Sequence, residues 1–197
     1  MAEHFEIAAG GKAEKYALLL KQVEAVVDGE PDMIANMANV ATMIHETFGF
    51  WWTGFYRVVA DELVLGPFQG PLACSRIKRG RGVCGTAWAE AQTQVVPDVD
   101  RFPGHIACSS ASRSEIVVPM LVDGKVAAVL DIDSSRLNTF DEVDRLWLER
   151  IVAALAAVVE VVASAAAMSI MLNIFMFRKN VCEDTKYLPE TAQKQGV

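Results

Sequence analysis

Over the first quarter of the chain, apolar residues recur at the three- and four-residue spacing of a helix face. From Lys12 to Val27, the residues Tyr16, Leu19, Leu20, Val23, Ala25, Val26 and Val27 gather on one side, which predicts an amphipathic helix. Asp28, Gly29 and Pro31 break the pattern, and a second helix is expected over about 31 to 48, with proline near its first turn and Gly49 just past its end. The period then shortens. "FWWTGFYRVV" (50–59) and "ELVLGPF" (62–68) are aromatic and β-branched runs parted by Ala60-Asp61, and read as a hairpin. "TQVVPD" (93–98), "EIVVPMLV" (115–122) and "KVAAVLDID" (125–133) supply three more strands, the last two joined by Asp123-Gly124, a strong hairpin-turn signal. Thr139, followed three residues later by Glu142, forms a capping-box pattern that starts a helix over "FDEVDRLWLERIVAAL". Two helices, five mostly antiparallel strands and a closing helix predict an α+β fold, with helices packed on one face of a largely antiparallel sheet.

Two connections are long for so compact a plan. One is "QGPLACSRIKRGRG", which leads into a short helical piece, "VCGTAWAEA"; the other is "VDRFPGHIACSSASRS". Loops of this length inside a domain are more often functional than idle. Near the end, "VVASAAAMSIMLNIFMF" (161–177) runs without a charge until Arg178 and Lys179. Seventeen uncharged residues sit at the lower edge of the roughly 17 to 25 that span a bilayer, and Ala, Ser and Asn keep this run only moderately apolar. A helix packed on a second subunit or on the core fits it better than a membrane anchor. The division expected is therefore a domain over 1–160, then an apolar helical extension and polar tail over 161–197.

At 197 residues, 52% hydrophobic and 22% charged, the chain is long enough for one well-buried domain. A net charge of −7 offers no basic stripe with which to neutralise phosphates, so the partners expected are small molecules or proteins rather than nucleic acid. Cysteines stand at 74, 84, 108 and 182, and the opening "MAEHFEIAAGGKAEKY" has no apolar core of a secretory signal. The expectation is a cytoplasmic protein whose thiols are normally reduced, where a disulfide is transient or catalytic.

Chemistry concentrates in the loops and at strand ends. Cys74, Cys84 and Cys108 lie beside glycine, serine or proline rather than inside strands, where a packing cysteine belongs. Two plainer readings compete. The thiols fill space, or they hold zinc; but gaps of ten and twenty-four residues match no C-x-x-C pairing, and His105 is the one histidine nearby. Glu115 opens an apolar strand, and Asp131 and Asp133, two apart, share a face of another. Convergence of the three in one pocket would raise at least one pKa and leave a neutral acid able to donate a proton. The alternative is that the aspartates end a strand where the chain turns outward. Trp52 and Tyr56 share a face of the first strand, with Gly54 between them, as core aromatics do.

The stretch from "FWWTGFY" through "FQGPLACSRIKRGRGVCGTAW" and "HIACSSASRSEIVVPM" to "VLDIDS" resembles the free methionine-(R)-sulfoxide reductases, a branch of the GAF-domain fold, over about residues 12 to 160. The resemblance implies a thiol-dependent enzyme that needs no cofactor, reduces free methionine (R)-sulfoxide to methionine, and is restored by thioredoxin. It implies that Cys108 attacks the sulfoxide sulfur and becomes a sulfenic acid, and that Cys74 condenses with it to a disulfide. Cys84 is implied as an auxiliary or alternative resolving thiol. By the same resemblance, Glu115 and Asp133 meet the sulfoxide oxygen with Asp131 beside them. Trp52 and Tyr56 form the wall that receives the S-methyl group, and Asp98 meets the amino group. Cys182 lies outside the resemblance, as does the segment after 160, because the family usually ends soon after its last helix. A GAF fold also serves small-molecule and redox sensors, so a sensor module is the competing reading.

Overall fold

A computed structural model of the chain describes residues 5–106, 111–159 and 161. The chain parts into two units, Met1–Glu160 and Val161–Val197. The apolar stretch expected over 161–177 and the polar tail lie outside the described residues, apart from Val161.

Helix α1 spans Lys12–Val27 and α2 Met33–Phe48. Asp32 caps α2, its carboxylate accepting from the N–H groups of Ile34 at 2.8 Å and Ala35 at 3.0 Å, so Pro31 falls just outside the helix. Gly49 ends α2 in the left-handed region (φ 65°), a conformation that costs glycine least. Strands β1 (Trp52–Val59) and β2 (Glu62–Gln69) follow as the expected hairpin. Then come β3 (Arg76–Lys78), α3 (Gly82–Glu90), β4 (Gln94–Val96), a 3-10 turn (Val99–Arg101), β5 (Ser114–Val122), β6 (Lys125–Ser134) and helix α4 over 142–159.

The sheet order is β3-β2-β1-β6-β5-β4, antiparallel throughout. It has six strands where sequence patterning suggests five. The extra strand, β3, offers one apolar residue, Ile77, between two exposed cations, so nothing local marks it; pairing of Ile77 with Leu63 on β2 makes it a strand. The β5–β6 turn has positive φ at both Asp123 (49°) and Gly124 (72°), as a two-residue hairpin turn requires.

Strand alternation divides the buried side chains into two cores. Phe55, Ile116, Val118, Leu130 and Ile132 pack against the apolar faces of α1, α2 and α4, through residues such as Leu19, Ile44, Leu148 and Leu155. Trp52, Tyr56, Val117 and Val129 point the other way, where Val83, Cys84, Ala87 and Trp88 of α3 cover them. Three long helices thus close one face, while the second has the short α3 and the long loops. Among the described residues no helix is long and apolar enough to cross a membrane.

The start of α4 differs from the Thr139/Glu142 expectation by two residues. Asp141 Oδ1 accepts from the N–H groups of Val143 (2.8 Å) and Asp144 (3.3 Å), and Asp144 Oδ2 accepts from the Asp141 N–H (2.8 Å), a reciprocal cap built on two aspartates. Tertiary contacts select it. Asp144 is fully buried and accepts from the Tyr16 hydroxyl at 2.9 Å and from the Lys12 ammonium at 2.5 Å, while Thr139 turns to Ser134 and Arg136. Asp144→Ala would leave the Tyr16 hydroxyl without its acceptor, take one of three acceptors from Lys12, which keeps Asp141 and the Thr139 carbonyl, and remove the half of the cap that holds the Asp141 N–H. It is expected to lower unfolding free energy by about 3 kcal/mol in a urea titration; a loss below about 1 kcal/mol would mean that water replaces the carboxylate at little cost.

Candidate active site

The site grows out of one row of the sheet. Antiparallel pairing sets Trp52 of β1 opposite Asp133 of β6, and Asp133 opposite Glu115 of β5. Two residues along β6, Asp131 faces Gly54 on one side and Val117 on the other. With a side-chain period of two, all these residues project to the face that α3 covers. The three carboxyl groups meet there beneath an aromatic wall. Cys84, in the first turn of α3, adds a thiol whose Sγ lies 3.9 Å from Glu115 Oε1.

The wall depends on a glycine. A Cβ on Gly54 would lie 2.5 Å from the outer edge of the Trp52 ring, so only glycine lets the indole lie across the strand. Trp52 then stacks with Tyr56 (6.0 Å between centroids) and Phe68 (5.4 Å). The polar ends of the wall hold the next loop: the Trp52 indole N–H donates to the Pro71 carbonyl at 3.1 Å, and the Tyr56 hydroxyl donates to the Cys74 carbonyl at 3.0 Å. Cys74 itself is in a disulfide, whereas Cys84 is a free, buried thiol.

These groups line a cavity of about 560 Å³, its open mouth included. Arg81, His105, Ile106, Ser112, Trp51 and Leu72 complete its sides and rim. Cys108 lies in 107–110, outside the described residues; Ile106, immediately before this segment, and Ser112, two positions after it, both line the cavity. Asp98 does not line it. Strand β4 ends at Val96, and the Asp98 carboxylate instead caps the 3-10 turn through the Asp100 N–H (3.2 Å) and pairs with Arg101 (3.2 Å). Ser112 is a site residue that sequence reasoning passes over. Its hydroxyl donates to Asp133, a contact made across 21 positions of chain that no local pattern announces.

Burial sets the electrostatics. It pushes the Glu115 carboxyl well above the usual carboxylate range, and the nearby Asp131 and Asp133 push it further. Asp131 is raised by burial and then by Asp133, and its Oδ1 has no hydrogen-bond partner among the described residues. Asp133 is pushed up by burial to about 6, against the opposing hydrogen bond from Ser112. The Cys84 thiol is driven well up, first by burial and then by Asp131 and Glu115. The protonated form is thus favoured at Glu115 and Asp131, while Asp133, near 6, is largely ionised at pH 7. Cys84, Glu115 and Asp131 bring three ligand-type atoms within 4.8 Å of one another, but a cation there would have to displace protons that burial keeps in place. What the arrangement offers a guest is an apolar wall on one side and a neutral acid on the other.

Comparison with known proteins gives concordant results. The GAF domain model matches residues 32–168. The chain is 56% identical over 152 residues to GAF domain-containing protein A of Dictyostelium discoideum, covering 77% of this chain and 96% of that protein. It is 47% identical over 148 residues to the free methionine-R-sulfoxide reductase of Escherichia coli, covering 75% and 90%. Among solved structures, the free methionine-R-sulfoxide reductase of Neisseria meningitidis in complex with its substrate superimposes with a TM-score of 0.80 at 52% identity, covering 82% of this chain and 98% of that one.

The raised acids have a consequence for stability. Because the folded pKa of Glu115 lies above its unfolded value, the native state holds the extra proton, and stability falls as pH rises from the ordinary carboxylate range, about 4, towards the folded value. Glu115→Gln removes that proton from the balance. The variant is expected to melt several degrees above wild type at pH 8 and to show a smaller fall between pH 5 and pH 8. Identical melting curves at both pH values would show that Glu115 ionises without hindrance.

Proposed function

Since the chain belongs to the GAF-domain family, in its free methionine-(R)-sulfoxide reductase branch, we propose that it reduces free methionine (R)-sulfoxide to methionine through a cysteine sulfenic acid and an intramolecular disulfide. The observation that carries the reading is the row Trp52–Asp133–Glu115, which sets an apolar wall and protonated acids on opposite sides of one cavity.

In this mechanism the S-methyl group rests against Trp52 and Tyr56, and the sulfoxide oxygen turns to Glu115. The Cys108 thiolate attacks the sulfur, Glu115 gives its proton to the oxygen, and methionine departs with Cys108 left as the sulfenic acid. Cys74 then attacks that sulfur, water leaves, and a Cys74–Cys108 disulfide closes. One sulfoxide and two thiols become one thioether, one disulfide and one water. Asp133, ionised and steadied by Ser112, keeps Glu115 protonated through its charge and flanks the oxygen, with Asp131 beside the pair. Cys84, with its raised thiol, is a poor nucleophile near pH 7 and serves as a reserve resolving thiol. Thioredoxin supplies the electrons that reopen the disulfide. The tie from Tyr56 to the Cys74 carbonyl supports this scheme, because one side chain then lines the substrate wall and steadies the resolving loop.

The direct test is methionine formation from each separate epimer of free methionine sulfoxide, with dithiothreitol as reductant. Turnover of the (R) epimer alone is expected, abolished in Cys108→Ser. Absence of turnover of either epimer by reduced wild type would discard the reductase in favour of a ligand-sensing domain.

Two further outcomes follow from the acid's role. Glu115→Gln should lower kcat by about 100-fold, the usual worth of a positioned general acid. The wild-type rate should fall as pH rises through the raised Glu115 value, where the carboxyl gives up its proton. A Glu115→Gln variant within about threefold of wild type would assign the proton to another group.

A further inference from the structure

A disulfide that closes once per turnover must be reached by its reductant, and the surface beside Cys74 differs from the rest of this acidic chain. Leu72, two residues before Cys74, is 89% exposed, more than any other large apolar side chain among the described residues. A lone exposed leucine is ordinary on a protein surface. This one shares the cavity's mouth with Trp51, itself 39% exposed, and with Arg81. From Gly70 to Ala89 the chain carries Arg76, Lys78, Arg79 and Arg81 and no carboxylate, although its net charge is −7. Arg76 pairs with Glu62 at 3.0 Å, and Arg79 lies over the Trp88 ring. Lys78 and Arg81 are exposed and pair with no carboxylate among the described residues.

Lys78 alternates with Ile77 and so leaves the cavity face, whereas Arg81 stands at the mouth. We propose that Trp51, Leu72 and Arg81 form the docking surface for a protein dithiol, one whose reactive cysteine lies beside an apolar rim on an acidic surface. The proposal rests on the reductase reading and adds where its electrons enter. The partner's thiolate attacks Cys74 Sγ, making a mixed disulfide and expelling the Cys108 thiolate. The partner's second thiolate then attacks the partner's own sulfur in that bond, closing the partner's disulfide and releasing Cys74 as a thiolate. Two electrons pass to this chain, and the two protons lost by the partner's thiols balance those its cysteines take up. Leu72 and Trp51 supply apolar contact to the rim around the attacking sulfur, and Arg81 attracts the acidic surface behind it. A small dithiol makes the same exchange without the surface.

The test compares turnover driven by thioredoxin, with its reductase and NADPH, against turnover driven by dithiothreitol, in the full-length wild type, Leu72→Asp and Arg81→Glu. The readout is the ratio of the two rates within each protein, so any effect on the sulfoxide step cancels. The ratio is expected to fall about fivefold or more in Leu72→Asp and about threefold in Arg81→Glu, the second loss shrinking at high salt as screening removes the attraction. A ratio unchanged in both variants, or the two rates falling together, overturns the docking surface. Turnover by dithiothreitol and glutathione but not by thioredoxin overturns the protein dithiol and leaves the reductase standing. No methionine from wild type with dithiothreitol overturns both readings.

Discussion

Three carboxyl groups held on one buried face of a sheet are the constraint around which the site is organised. Glu115 and Asp133 lie directly opposite on paired strands, and Asp131 is one step along the same face. Ionised together in this setting they would repel strongly with little water to screen them. The fold resolves the conflict by keeping protons on the two deepest acids and giving Asp133 a hydroxyl partner. The repulsion that makes the site costly also makes it a store of protons near neutral pH. That cost is carried by the opposite face of the sheet, where α1, α2 and α4 bury a continuous apolar core with no part in the chemistry.

The aromatic wall joins this acid store to the thiol loops. Trp52 and Tyr56 present ring faces to the cavity and spend their polar ends on the carbonyls of Pro71 and Cys74. A loop of small residues, with few contacts of its own, is thereby tied to the most rigid part of the molecule. Gly54 makes this geometry available, since any side chain there would push the indole off the strand. Glu115, the apolar wall and the Cys74 loop are thus positioned by neighbouring residues of β1, β5 and β6, which limits how far any one of them can move without the others.

Floor and rim differ in charge. The floor carries the three acids, while the rim carries Arg81 in an otherwise acidic chain. Segregation of this kind sets the field that a small guest meets at the floor apart from the one it meets at the rim.

What the sequence determined by itself is everything whose cause is local. Helix periodicity and the glycine stop define α1 and the end of α2; alternation and the Asp123-Gly124 turn define the β5–β6 hairpin; and the cysteine loops with "WWTGFY" and "LDIDS" carry the family resemblance. Tertiary structure decided whatever depends on a partner far along the chain. Strand β3 exists because Leu63 offers Ile77 a neighbour; α4 begins at Asp141 because Lys12 and Tyr16 hold Asp144; and Asp98 turns to its own 3-10 turn rather than to the cavity. The meeting of Glu115, Asp131 and Asp133 belongs to the same class. Each is an ordinary acid at a strand end when read along the chain, and only the register of three strands brings them close enough to change one another's protonation.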